Sequence, residues 1–137
     1  MQQAYNEALA AYWEDEIPVG AVVVCDGHVI ASAHNQTERL GDVTAHAEML
    51  ALTAAADELG SKYLDECTLY VTLEPCIMCA GAIGWTHLKR LVYGASDEKR
   101  GYTRFTPSPL QPKTELTTGV MKEECENLMK KFFREKR

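Results

Sequence analysis

No stretch of this sequence approaches the roughly 20 consecutive apolar residues of a membrane helix, which excludes a chain built on such spans. No Lys or Arg precedes Arg39, so the N-terminus lacks the basic-then-apolar pattern of a secretion signal, and the expected location is the cytoplasm. Internal repeats, low-complexity tracts and long linkers are missing too. At 137 residues the chain is expected to form one domain, residues 1–137, with 46% hydrophobic and 25% charged residues supplying an ordinary globular core and surface.

Positive charge is scarce, and the net charge is −6. Taken alone, that argues against a nucleic-acid partner, whose phosphates are met by Lys and Arg. The deficit is uneven. Glu7, Glu14, Asp15 and Glu16 crowd the first helix candidate, while Lys130, Lys131, Arg134, Lys136 and Arg137 crowd the end of the chain. A basic helix end also suits the helix dipole, so composition does not choose a partner.

Of five cysteines, Cys25, Cys67 and Cys125 stand singly in apolar or helical surroundings and read as small core residues. Only Cys76 and Cys79 share a chemically meaningful spacing. In a chain without a secretion signal that pair reads as metal-binding or redox-active, not as a structural disulfide.

Helical spacing of Tyr5, Leu9, Tyr12 and Trp13 predicts a helix over about 2–15, stopped by Pro18. Val19–Cys25 and His28–Ala33 are β-branched runs joined by Asp26-Gly27, a strong hairpin signal. After a polar loop over 35–43, Thr44 can cap a helix reaching Leu59, with Gly60 ending it. Cys67–Leu73 reads as a strand, Ile77–Trp85 as a short helix entered through Pro75, and Leu91–Ala95 as a strand. Residues 96–113 read as loop, 114–118 as a strand and 121–134 as a closing amphipathic helix. This order implies a three-layer α/β/α domain around a mixed sheet of about five strands.

Two helix starts carry the chemistry. His46-Ala47-Glu48 opens one, and Pro75-Cys76-Ile77-Met78-Cys79 opens the other, each placed where open α/β sheets bind ligands. Residues three apart share a helix face, so Cys76 and Cys79 can chelate one ion together with His46. Three protein ligands leave a fourth tetrahedral position for water, the catalytic zinc pattern, whereas structural sites close with four. Glu48, two residues past His46, points off the ligand face and is free to move protons between water and a substrate amine. His-x-Glu followed by Pro-Cys-x-x-Cys is a described signature of zinc nucleobase deaminases. A lone redox pair would need neither Pro75 nor the upstream His46 and Glu48. A catalytically silent zinc module would have no use for Glu48. His28, His34 and His87 have no comparable company and read as surface or loop residues.

Thr44–Glu48 together with Leu69–Ala82 closely resembles bacterial tRNA-specific adenosine deaminases, as do Ile17–Ala21, Tyr93-Gly94-Ala95-x-Asp97 and Phe132-Phe133-Arg134. The resemblance spans nearly the whole chain and implies a cytidine-deaminase-like fold, zinc as cofactor, a homodimer, and conversion of the wobble adenosine in a tRNA anticodon stem-loop to inosine. It further implies that Asn35 hydrogen-bonds the flipped purine, that Ala47 offers its backbone N–H near the reacting ring, and that Val19 walls the pocket. Asp97 would contact the ribose and Arg134 the stem phosphates. Two departures lie on the substrate side. Leu110–Glu115 stands where the family commonly carries Met-Asn-His-Arg, and Gln36 follows Asn35 where Arg is frequent. A small-molecule deaminase acting on guanine, cytosine or a related heterocycle therefore stays open as the alternative.

Overall fold

The computed structural model describes residues 1–136; Arg137 of the basic tail lies outside the described residues. The chain runs α1 (Gln2–Trp13), β1 (Gly20–Cys25), β2 (His28–His34), α2 (Thr37–Leu40), α3 (Ala47–Leu59), β3 (Cys67–Leu73), α4 (Ile77–Thr86), β4 (Arg90–Ala95), a single 3-10 turn (Tyr102–Arg104), β5 (Glu115–Thr118) and α5 (Lys122–Glu135). The five strands form one sheet in the order β2-β1-β3-β4-β5. β1 is antiparallel to both β2 and β3, and β3, β4 and β5 are mutually parallel. Helices α3 and α4 cover one face while α1 and α5 cover the other, giving the expected three layers. No helix of the described residues is long and apolar enough to cross a membrane.

The register explains the core. Val23, Leu69 and Leu91 lie side by side across three strands, and so do Ala21, Val71 and Tyr93 two residues along. Residues two apart share a sheet face, so these rows form one apolar surface. Against it pack Ala51, Leu52 and Ala55 of α3 and Ala80 and Ile83 of α4. Each fully buried Leu or Ile contributes about 1.5–3 kcal/mol. A second cluster, Ala8, Tyr12, Leu128 and Phe132, joins α1 to α5. At the start of β1 the backbone of α1 comes so close that a Cβ on Gly20 would lie 2.0 Å from the Ala4 carbonyl oxygen.

Several local expectations need correction. Helix α1 ends at Trp13, before Pro18, because Asp15 turns left-handed with φ 61°. Thr44 does not cap α3; the capping position belongs to His46, and Thr44 instead bonds the Asp42 carboxylate. The 35–43 loop contains α2, and the 96–113 loop contains the 3-10 turn. The hairpin turn forms as expected, with Asp26 and Gly27 both at positive φ, as a tight two-residue turn requires. Cys67 and Cys125 are buried, but Cys25, paired opposite Cys67 across β1 and β3, is only half-buried.

The N-terminal acidic cluster is not a repelling surface, because its members find partners inside the chain. Glu16 accepts backbone N–H bonds from Glu38 and Arg39 at 3.0 and 2.8 Å, and Asp15 pairs with Lys136. His34 is no plain surface residue: Glu7 meets its Nδ1 at 2.8 Å and Glu14 its Nε2 at 3.1 Å. Burial pulls the His34 pKa down, but the hydrogen bonds and charges of the two glutamates outweigh it, and the net shift is upward. A raised folded-state pKa makes this stabilisation complete below the ordinary His value of about 6.5. It is lost as pH rises through the folded value. We expect the melting-temperature gap between the natural chain and His34→Gln to be wider at about pH 6 than at about pH 8.5 in low salt. A gap that stays constant or widens on the alkaline side would contradict the pairing.

Candidate active site

His46 and Cys76 occupy the same position on different helices. Each is the N-cap of its helix, with φ/ψ of −69°/152° for His46 and −71°/173° for Cys76, and neither makes a side-chain capping hydrogen bond. N-caps are normally Ser, Thr, Asp or Asn, whose oxygens satisfy free N–H groups. Here those positions hold ligand-type side chains that turn toward each other. Cys79, in the first turn of α4, completes the group and is fully buried.

The three ligand atoms lie within 4.8 Å of one another. His46 Nδ1 is 3.7 Å from Cys76 Sγ and 3.5 Å from Cys79 Sγ. A tetrahedral zinc with Zn–S about 2.3 Å and Zn–N about 2.0 Å would separate nitrogen from sulfur by about 3.5 Å. The residues present therefore fit such an ion.

Glu48, in the first turn of α3, is 4% exposed and lies against the Cys79 thiol, yet its carboxylate is not one of the three grouped ligands. Burial is the main cause that raises its pKa, to about 7, with His46 opposing. Cys76 is lowered to about 4, first by the hydrogen bond from Cys79, against its burial, and then by His46. Cys79 is pushed up by its bond to Cys76 and by burial. One thiolate is thus already favoured by its neighbours and by the α4 N-terminus.

The expected substrate residues divide into two groups. Asn35 donates its backbone N–H to the Val19 carbonyl at 3.0 Å, and Gln36 donates to Ala45 at 3.0 Å, beside His46 and Ala47. Val19, Asn35 and Ala47 are buried and share one end of the sheet with the ligand group. Asp97 reaches the same end from β4: its N–H donates to Glu74, and its Oδ1 accepts from Lys99 and Arg100 at 3.1 Å each. Arg134 is not brought into this group. It is exposed in the last turn of α5, beside Lys130 and Phe133, and Phe133 also lines a hollow with Ile17, Thr37 and Arg39. In the departing 110–115 segment, Gln111 donates to the Gly84 carbonyl at 3.0 Å and Thr114 to Leu88, so this stretch braces α4.

Glu16 and Glu74 are both buried, and no local sequence pattern marks a role for either. Glu74 stood in plain view in the run before Cys76, but its partners are 23 and 29 residues away.

A family model for MafB19-like deaminases matches residues 1–137. The tRNA-specific adenosine deaminase of Agrobacterium fabrum (strain C58) is 44% identical over 142 residues, covering 100% of this chain and 93% of that protein. The chain belongs to the tRNA-specific adenosine deaminase family. A solved structure from a study of A-to-I editing by tRNA:A34 deaminases superposes on this deaminase with a TM-score of 0.86 and 41% identity. That match covers 93% of this chain and 96% of the other. A guanine deaminase from Bacillus subtilis is also 41% identical, but at a TM-score of 0.66 over 69% of this chain and 61% of its own. Identity alone does not separate the two; coverage and superposition do.

The ligand geometry makes a direct prediction for this deaminase. An ion bound by the folded state alone raises stability with its free concentration. Chelator treatment should therefore lower the melting temperature of the natural chain, and added zinc should restore it. Cys76→Ala should bind well under one equivalent and ignore both treatments. A natural chain whose melting is indifferent to chelator and zinc would rule out a folded-state metal site here.

Proposed function

We propose that residues 1–137 form one zinc-dependent domain that hydrolyses the wobble adenosine of a tRNA anticodon loop to inosine. The observation that carries the proposal is a three-ligand group, His46, Cys76 and Cys79, with a buried carboxylate, Glu48, beside it and outside it. The full-length match to tRNA-specific adenosine deaminases supports the substrate.

A zinc ion held by the three ligands would supply Lewis-acid activation, bringing water toward a pKa of about 7. Glu48 takes a proton from the attacking water and hands it to the purine ring nitrogen. A second transfer through Glu48 protonates the departing amine, so that water adds at the ring carbon, the carbon–nitrogen bond breaks, and ammonia leaves. A carboxyl lifted toward neutrality by burial suits a group that must both accept and return protons. Asn35 and Val19 supply a polar and an apolar wall, Ala47 a backbone N–H, and Asp97 a contact to the sugar. A wobble base sits in a loop and is already partly unstacked, so turning it outward costs little.

Arg134 and Lys130, one helical turn apart and exposed, would meet stem phosphates although the chain as a whole is acidic. Trp85 and Ile77 stay 82% and 42% exposed on α4, an apolar surface suited to a second copy in a homodimer. Action on tRNA agrees with a cytoplasmic location.

The partial likeness to a guanine deaminase favours one second reading, a free-base substrate. An anticodon stem-loop with adenosine at the wobble position, assayed beside free guanine and cytosine, separates the two. We expect inosine in the stem-loop and no ammonia from the bases. Ammonia from guanine with an inert stem-loop would replace the tRNA reading. In the same assay Glu48→Ala should retain zinc while losing about 10²–10⁴-fold in turnover. Loss of the metal in that variant would make Glu48 a ligand instead.

A further inference from the structure

Among the described residues, the buried carboxylates are those of Glu16, Glu48 and Glu74. Glu48 belongs to the chemistry above. Glu74, two residues before Cys76, makes no side-chain hydrogen bond to His46, Cys76 or Cys79 among the described residues. All of its side-chain hydrogen bonds run to one loop. Oε1 accepts the Asp97 N–H at 3.0 Å, while Oε2 accepts the Thr103 N–H at 3.1 Å and the Thr103 hydroxyl at 2.8 Å.

The same loop is laid over the start of α4. Gly101 pairs with Cys76 in an isolated β-bridge, and the Tyr102 N–H donates to the Pro75 carbonyl at 3.0 Å. Gly101 has an ordinary φ of −64°, so its lack of a side chain is not a matter of backbone conformation. It is a matter of room: a Cβ there would lie 2.0 Å from Glu74 Oε2 and 2.2 Å from its carboxyl carbon. The loop backbone rests directly on the carboxylate. Lys99, Arg100, Thr103 and Arg104 are exposed along it, next to the half-buried Cys76.

We infer that Glu74 is a positioning residue for substrate: its carboxylate, with Gly101 pressed against it, holds residues 97–103 as the wall past which the RNA strand reaches the ligand group. Three donors converge on two oxygens, an arrangement only an acceptor on both arms can satisfy. An amide would turn one arm into a donor facing a donor. The inference rests on the tRNA reading for the identity of the strand, not for the strut itself.

Two variants approach the contact from opposite sides. Glu74→Gln keeps the volume and removes one acceptor arm, and Gly101→Ala keeps the carboxylate and displaces the loop. Both are measured in the full chain loaded with zinc. We expect unchanged zinc content and kcat close to that of the natural chain. KM and the Kd for the anticodon stem-loop should both rise about tenfold, as expected for a lost charged hydrogen bond. Amide exchange at Asp97 and Thr103 should be faster in Glu74→Gln. A fall in kcat with KM unchanged, or loss of zinc, would show that Glu74 supports the ligands and not the substrate. Unchanged KM and exchange in both variants would overturn the strut altogether. Should the natural chain leave the stem-loop untouched, the tRNA reading fails, and exchange alone decides the strut: faster supports it, unchanged overturns it. If Glu74→Gln does not fold, Gly101→Ala carries the same test.

Discussion

Two helix starts meet at one end of the sheet, and each gives up its capping position to a side chain that could hold a metal. This constraint organises the rest. A helix beginning at His46 has no side-chain cap, and neither has one beginning at Cys76. A missing cap costs about 1 kcal/mol, so each start must be held by other means. For α3 the means are the Gln36–Ala45 hydrogen bond and the buried alanines Ala47, Ala51 and Ala55, which seat the helix on the sheet. For α4 they are the bridge between Cys76 and Gly101 and the contacts of Pro75 and Glu74 with the 97–103 loop.

Burial of polar groups follows the same geography. The buried polar and charged residues are Glu16, Asn35, Glu48, Thr72 and Glu74. Thr72 accepts the Gly20 N–H at 3.1 Å where β1 begins beside the end of β3. Glu16 holds the first N–H groups of α2, and Glu74 holds the loop over α4. An unpartnered buried carboxylate would cost several kcal/mol, so each of these marks a place where a loop had to be fixed. Glu48 differs. Its neighbours are the candidate ligands themselves, and burial lifts its pKa against the backbone N–H and the charge of His46. The rest of the interior, from Val23 through Leu69 to Leu91, is apolar and serves to hold this end rigid.

Much of this was legible in the residues alone. His46, Glu48, Cys76 and Cys79 announced themselves through spacing on helix starts, and Asp26-Gly27 fixed the hairpin through a local rule. The strand Cys67–Leu73 matched its apolar run residue for residue. What stayed hidden was non-local. Thr44 looks like a cap because hydroxyls are common there, but His46 takes that place and turns toward Cys76 and Cys79. Helix α2 exists because Glu16, more than 20 residues upstream, caps it. His34 gained two carboxylate partners only when α1 packed on β2, and Glu74 gained its donors only when the chain returned at Asp97 and Thr103. The pairing of β4 with β5 is parallel yet crosses without an α-helix, which no periodicity announces.

The central claim is an open metal site with one nitrogen and two sulfur ligands from the chain. X-ray absorption at the zinc edge of the purified protein tests it most directly. The account predicts two sulfur scatterers at about 2.3 Å and two light scatterers at about 2.0–2.1 Å, one from His46 and one from outside the chain. Three or four sulfurs would mean a closed structural site, and a purified, zinc-supplied protein that shows no zinc edge would contradict the account outright.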